Sequence, residues 1–450
     1  MRSERRRRLE VRLSCVLVAL LLASTPSLRG QAAAPQTQVP TAPKLPPAPP
    51  QPPPTRLVTL EQAIDFAIRN NPALRAQRTA ISQSKEQEVT ANLRPNPVLS
   101  WDAQYLPLFT PSLWSSEYID NTAQFDIGLG YLFERGKKRQ RRLQAAKDMT
   151  AVTEAQVVDA ERMTVGSTAQ QFVAALLAKA NLELAEQLLQ SYEHTMAISQ
   201  EQFKVGGMSR VDLLKIQLQN LQFQSDVSAA RIAKVQALAD LRQLMGYDSV
   251  PRDYDVSGEL TFTPIRFNLE ELQARAMNER PDLLAARRGI TAAESQIGLA
   301  KANAKQDFTS SFDYTHLNAS NLGAFYFNIP LPIFNRNQGE VARTYFALTQ
   351  SQFQEKAAEQ QVLTDVANAY ESLRTAEEVV QLYQAGYLQQ AQQALDITQF
   401  SFQHGATSLL DFLDAERSYR STELNYRQAL ATHMSSLEQL RLAVGTRELP

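Results

Sequence analysis

AQFDIGLGY, residues 123–131, alternates without a slip: Ala123, Phe125, Ile127, Leu129 and Tyr131 on one side, Gln124, Asp126, Gly128 and Gly130 on the other. A two-residue period marks a strand with one apolar and one polar face. VLSWDAQY (98–105) keeps the same period, with Leu99, Trp101, Ala103 and Tyr105 opposed to Ser100, Asp102 and Gln104. DFTSSFDYT (307–315) and AFYFNIPLPIF (324–334) repeat it in the second half of the chain, the latter carrying Phe325 and Phe327. Strands of about nine to eleven residues, rimmed by aromatics, suit the wall of a transmembrane barrel. They would also suit a sheet packed on an ordinary core, but the remaining sequence offers no further strands or short core helices to cover the apolar face. Leu99, Trp101, Phe125, Ile127, Phe325 and Phe327 are therefore assigned to the lipid side. Four strands cannot close a barrel, since the smallest have about eight, and lipid tolerates no open edge. The barrel must be shared between chains.

Outward from the strands lie helical runs of unusual length. Residues 137–203 and 339–402 contain no proline and one interior glycine each, Gly166 and Gly386. At ~1.5 Å per residue each run would extend on the order of 100 Å. In the helix that follows the second run, Phe412, Tyr419, Tyr426, His433 and Leu440 recur every seven residues. Small residues follow three positions after each: Ala415, Thr422, Ala429, Ser436 and Ala443. Knobs and holes at the heptad period imply a left-handed supercoil. His433 belongs to that stripe and reads as a packing residue, not a ligand.

Each long run ends in a similar reversal, KVGGMSRVDLL (204–214) and QHGATSLLDFL (403–413). Gly206, Gly207 and Gly405 permit the left-handed backbone that ends a helix. Ser209 and Ser408 then stand as caps of the next helix, with Asp212 and Asp411 at its third position, favoured by the positive end of the macrodipole.

The reversal occurs twice because the chain is duplicated. TLEQAIDFAIRNNPALRAQR (59–78) matches NLEELQARAMNERPDLLAAR (268–287), placing Leu60 on Leu269, Ala67 on Ala276 and Pro72 on Pro281. LRQLMG (241–246) and LRLAVG (440–445) close the two copies. Thr59 with Gln62, and Asn268 with Glu271, are capping-box signals. Pro72 and Pro281 sit where a helix restarts. The resulting organisation is a leader over 1–34, a proline-rich linker over 35–56, a first repeat over 57–246, a connector over 247–268, a second repeat over 269–446 and a tail over 447–450.

The leader has a basic start and an apolar core from Leu13 to Ala23, the pattern of a secretory signal peptide. Cys15, the single cysteine, lies within it, so the mature chain is expected to lack thiols. Residues 35–54 include ten prolines and read as an extended spacer. The leader holds seven arginines against two glutamates; with a formal net charge of −1 for the whole chain, the remainder is acidic. That argues against a nucleic-acid binder. Four histidines without metal-binding spacing, and no GxSxG, phosphate loop or GxGxxG, leave no enzyme, cofactor or transition-metal site in view.

PNPVLSW (95–101), ERPDLLAAR (279–287), IPLPIFNRNQG (329–339) and GATSLLDFLDAE (405–416) resemble the outer-membrane efflux (TolC-type) family, and the likeness runs from about residue 57 to 446. Within it they look most like the branch serving cobalt-zinc-cadmium type heavy-metal pumps. The resemblance implies a mainly α fold with a small β part: a homotrimer with a twelve-strand barrel in the outer membrane and a periplasmic tunnel of long helical hairpins. It further implies a passive exit duct whose partners are a periplasmic adaptor and an inner-membrane pump of the resistance-nodulation-division type. The tips Gly206, Gly207, Ser209, Asp212, Gly405 and Ser408 would dock the adaptor. Asp411 and Asp414 match the family's constriction aspartates in the pattern D-x-L-D-A. Three copies would give a six-carboxylate ring of the cation-selective kind; helix capping alone also accounts for Asp411. Some relatives carry a gating arginine and tyrosine where this chain has Thr407 and Phe402. A secreted structural coiled-coil protein, an adhesin or filament subunit, is the alternative from another class. It would explain the heptads and the export but gives the strands no task.

Overall fold

The computed structural model of the chain describes residues 57–449, so the expected leader and proline-rich linker lie outside the described residues. The first repeat opens with a two-residue strand, β1 (Leu57–Val58), and two short helices, α1 (Leu60–Asn70) and α2 (Pro72–Ala91). Thr59 forms the expected capping box with Gln62. Pro72 starts α2 because the extended backbone of Asn71 stops the helix before it. Strands β2 (Val98–Gln104) and β3 (Gln124–Phe133) flank a loop containing α3 (Ser116–Asn121). Then come α4 (Lys138–Lys204), one unbroken helix of 67 residues, and α5 (Arg210–Met245), which runs back along it.

The second repeat follows the same order after β4 (Asp255–Val256), which pairs in parallel with β1. Its elements are α6 (Leu269–Glu279), α7 (Pro281–Asn303), β5 (Phe308–Leu317), β6 (Ser320–Asn328), α8 (Gln338–Leu382), α9 (Leu388–Gln403) and α10 (Leu409–Val444). Three expectations are corrected here. The strand read over 324–334 ends at Asn328, because Pro330 and Pro332 have no N–H to give a ladder. Asn268 caps α6 by accepting from the backbone of Glu270, with no reciprocal bond from Glu271. The second long run is not one helix: a π-type turn at Tyr383–Tyr387 interrupts it, and Gly386 there adopts φ 125°.

The four long strands form one antiparallel sheet in the order β2–β3–β5–β6, two hairpins side by side. Trp101 stands opposite Ile127, which stands opposite Tyr314; Leu129 stands opposite Phe312, which stands opposite Phe325. Register therefore gathers all six residues assigned to the lipid side onto one face. That face is open: Trp101 is 70% exposed and Phe325 73%, and Leu99, Ile127, Leu129 and Phe327 are exposed too. The other face carries Ser100, Asp102, Gln104, Asp126, Ser311, Asp313 and Thr315. Gly128 is needed on it, because a Cβ there would lie 1.7 Å from Asp313 Oδ1.

Below the sheet the core lies in separate clusters along the helices. One surrounds β1 and β4, with Phe66, Phe172, Leu241, Met245 and Tyr254. Its counterpart in the second repeat gathers Leu272, Leu283, Val362, Val366, Leu373 and Leu440. A third, at the far end of α4, packs both helical reversals together. The heptad knobs Phe412, His433 and Leu440 are buried, and His433 meets the edge of Phe262, as a packing residue should.

Candidate functional site

The site is the pair of reversals at the end of α4 and α9. In the first, Gly206 takes φ 78°, its N–H donates to Phe203 O (3.1 Å), and the N–H of Gly207 donates to Gln202 O (2.8 Å). In the second, Gly405 takes φ 71°, its N–H donates to Phe402 O (3.1 Å), and that of Ala406 donates to Ser401 O (2.8 Å). Both are Schellman closures, with glycine at the left-handed position. The expectation for Gly207 is corrected by this alignment. It has no positive φ and occupies the place that Ala406 fills in the other turn, so nothing there requires glycine.

The caps form as read. Asp212 N–H donates to Ser209 Oγ at 3.1 Å, and Asp411 N–H donates to Ser408 Oγ at 3.2 Å. The aspartates then diverge. Asp212 accepts from the Ser209 hydroxyl (2.8 Å) and pairs with Lys215 (3.5 Å). Asp411 Oδ2 accepts from the Ser408 hydroxyl (2.7 Å), the Ser408 N–H (3.3 Å) and the Thr407 hydroxyl (3.1 Å). Those bonds, Ser408's foremost, hold the carboxyl below the usual carboxylate range. Asp414 caps nothing; it is exposed and paired with Arg417 at 3.2 Å. Thr407, where some relatives carry a gating arginine, thus supports the cap. Phe402 is buried and stacked on Phe412 with centroids 5.2 Å apart.

The two reversals lie side by side. Gln202 Nε2 donates across to Gln403 O (3.0 Å), and Gln399 Nε2 to Thr195 Oγ1 (3.3 Å). Behind them Tyr192 packs on Phe223 and Phe412, with centroids 4.8 and 6.5 Å away, over Ile216, Leu395 and Leu409. The sequence reading missed Tyr192 and Glu416, both buried polar residues in this cluster. Their burial comes from pairing helices distant in sequence, and no local pattern marks it. Among the described residues no group of three or more His, Cys, Asp or Glu could hold a metal ion, and no helix is long and apolar enough to cross a membrane.

With this geometry in place, the chain can be set beside known proteins. The family profile described as "Outer membrane efflux protein" matches residues 63–247 and 272–446, one stretch in each repeat. The chain is 26% identical over 390 residues to the cation efflux system protein CusC of Escherichia coli strain K12, covering 81% of this chain and 82% of CusC. It is 24% identical over 372 residues to the cobalt-zinc-cadmium resistance protein CzcC of Cupriavidus metallidurans, covering 82% and 85%. Over 349 residues it is 26% identical to the solvent efflux pump outer membrane protein SrpC of Pseudomonas putida, covering 72% and 71%. In fold it is similar to a crystal structure of CusC (TM-score 0.70, 23% identity, 87% of this chain and 94% of the other). It is also similar to the CmeC outer membrane channel of Campylobacter jejuni (TM-score 0.71, 17% identity, 86% and 85%).

Proposed function

The chain belongs to the outer membrane efflux protein family, and from that premise we propose that three copies assemble into the exit duct of a tripartite efflux pump. The chain is a passive, non-enzymatic conduit of the outer membrane; the family match sets aside the filament alternative. The observation that carries the trimeric reading is the sheet, with one continuous exposed apolar face and two free edges, β2 and β6. Because the strands alternate in direction, β2 and β6 are antiparallel, so β6 of one copy can pair with β2 of the next as any interior pair does. Lipid requires that closure, since an unpaired N–H or C=O there costs several kcal/mol. Three copies give the twelve strands the resemblance implies. A second support lies on α5, where Val211, Leu214, Leu218 and Leu221 are exposed at heptad spacing, resumed by Ile232 and Val235. A neighbouring helix would cover that stripe.

In the assembled duct Leu99, Trp101, Phe125, Ile127, Phe325 and Phe327 face lipid. The turns at Gly206, Ser209, Asp212, Gly405 and Ser408, with Gly207 beside them, meet a periplasmic adaptor linked to an inner-membrane pump of the resistance-nodulation-division type. Asp411 and Asp414 from three copies ring the narrow opening, and the duct serves the export of heavy-metal cations. The likeness to CusC and CzcC supports that cargo.

The test is insertion. Arginine near the bilayer midplane costs roughly 2–4 kcal/mol, so Ile127→Arg should greatly reduce the cold-detergent-resistant trimer recovered with outer membranes on a heat-shift gel. Asp126→Asn, on the opposite face, should leave trimer yield intact. Equal yields for Ile127→Arg and wild type would overturn the assigned face.

A further inference from the structure

Glu416 lies on α10 five residues past Asp411, but it points inward. Only 6% of it is exposed, and it lies near Tyr192, a member of the cluster that holds the two reversals together. The nearby cations are already engaged: Arg417 pairs with Asp414, and Arg420 with Asp226 of α5. Among the described residues no donor reaches Glu416 Oε1, and the buried hydroxyl of Tyr192 on α4 is likewise unpartnered. The groups facing this carboxyl are thus Tyr192 from α4, Asp226 from α5, and Arg417 and Arg420 from α10 itself. From α9 the cluster receives Leu395 and Phe402, neither of which titrates.

An ionised carboxyl without a donor is costly in such a place, whereas a protonated one is tolerated. Burial pushes the Glu416 carboxyl up to about 7, against the attraction of Arg420 and Arg417 and with Asp226 adding to the rise.

We propose that Glu416 is a proton-operated latch of the tip: protonated, it lets α10 pack on α4 and α5 and holds the reversals together; ionised, it loosens that packing and favours a wider opening. The widening rests on the reading of the tip as the narrow end of the duct; the latch itself does not. The sign follows from linkage. A carboxyl raised in the packed state and ordinary (~4.3) in the loosened one binds more protons when packed. The packed state keeps its full advantage below the ordinary value and loses it progressively as pH rises towards and past about 7. The consequence for a duct in the periplasm is a tip held tight in acid surroundings and eased in neutral to alkaline ones.

The experiment compares full-length wild type and Glu416→Gln, which keeps shape and neutrality, at pH 5.5 and 8. Hydrogen exchange of 188–224 and 388–425 reads packing, and planar-bilayer conductance reads opening. At pH 5.5 wild type should already exchange roughly tenfold faster in these segments than Glu416→Gln, because there the loosened state is ionised and the packed state is not. At pH 8 the gap should widen by about a further order of magnitude, to roughly a few hundredfold, and wild-type conductance should rise where that of the variant does not. Equal exchange at both pH values, or an unchanged wild-type rise in conductance in Glu416→Gln, overturns the latch. A difference in exchange with no rise in conductance in either protein upholds the latch and instead rejects the tip as the constriction. Should Glu416→Gln not assemble, wild-type protection of the tip relative to the cluster around Phe66 decides: the ratio must fall between pH 5.5 and 8, and a constant ratio overturns the proposal.

Discussion

Asn71 and Arg280 stand at the same point in the two repeats, just before Pro72 and Pro281, and both reach the end of the returning helix. Asn71 Nδ2 donates to Leu244 O (2.9 Å) while its Oδ1 accepts from the N–H of Leu74 (3.1 Å). Arg280 Nη1 donates to Ala443 O (3.2 Å) and to Asp365 (2.9 Å), and its other nitrogens bind Asp282 (2.6 and 3.0 Å). The same joint is closed by a neutral cap in one half and by a charged network in the other. Duplication kept the backbone geometry and left the chemistry free to change. The long helices differ in the same manner. Gly166 in α4 lies under Leu442, whose side chain would be 2.7 Å from an added Cβ. Gly386, its counterpart as the one interior glycine of the other run, would bring an added Cβ only into ordinary contact with Gln390 Nε2 (3.8 Å), and it has a backbone few other residues adopt.

The joints offer the largest test of this contrast. Arg280 is only 4% exposed in its side chain, and removing it leaves Asp365 without its cation and Asp282 with only Arg162, at 3.8 Å. Arg280→Ala should destabilise by about 3 kcal/mol, the low end of the ~3–5 kcal/mol range for breaking a buried pair from one side, because the two aspartates it leaves are about 30% exposed. Asn71→Ala loses one cap and one bond to a carbonyl, roughly 1–3 kcal/mol. Denaturant titration of the two variants, followed by circular dichroism, measures both. Equal losses would mean that charge adds nothing at the second joint.

The glycines come next. Gly166→Val must displace Leu442 from a packed seam, an overpacking cost of typically 1–3 kcal/mol. Gly386→Ala meets no steric obstacle and costs about 1–2 kcal/mol through its backbone alone, unless the chain relaxes into a regular helix. Thermal unfolding should therefore separate them, with Gly166→Val the lower. A Gly386→Ala protein that gains stability would identify the turn at 383–387 as removable.

These contrasts also mark how far the sequence could be read. Alternation in β2, β3, β5 and β6 and the heptads of α10 are local periods, visible in one strand or helix at a time, and their faces came out as expected. The capping residues Thr59, Ser209 and Ser408 were legible for the same reason, each acting three residues away. Gly166 and Gly386 looked alike because what distinguishes them is Leu442 in one case and a backbone angle in the other. Arg280 gave no signal of its network, since Asp365 and Ala443 reach it only through packing. At the site, Asp411 was legible as a cap partner three residues after Ser408 and Asp414 only through the family resemblance, whereas Glu416 differs from an ordinary solvated glutamate only by the helices around it.

The smallest effect separates the two caps. Ser408 and Asp411 form a reciprocal box, the hydroxyl receiving Asp411 N–H and the carboxylate receiving Ser408 N–H. Ser209 lacks the return bond, because the Asp212 carboxylate is taken by the Ser209 hydroxyl and Lys215. Losing an N-cap serine costs typically ~1 kcal/mol, so Ser209→Ala and Ser408→Ala should both be mild, with Ser408→Ala the more damaging. Asp411 makes the difference depend on pH. Its carboxyl lies below the ordinary value because Ser408 and Thr407 bond its ionised form. That support is present above the ordinary carboxylate range and is lost as pH falls through the lowered value. The gap between Ser408→Ala and Ser209→Ala, measured as melting temperatures at neutral pH, should therefore narrow once the medium is acid enough to protonate Asp411. A gap that stays constant into strong acid would show that the return bond contributes nothing, leaving the two turns equivalent in their caps.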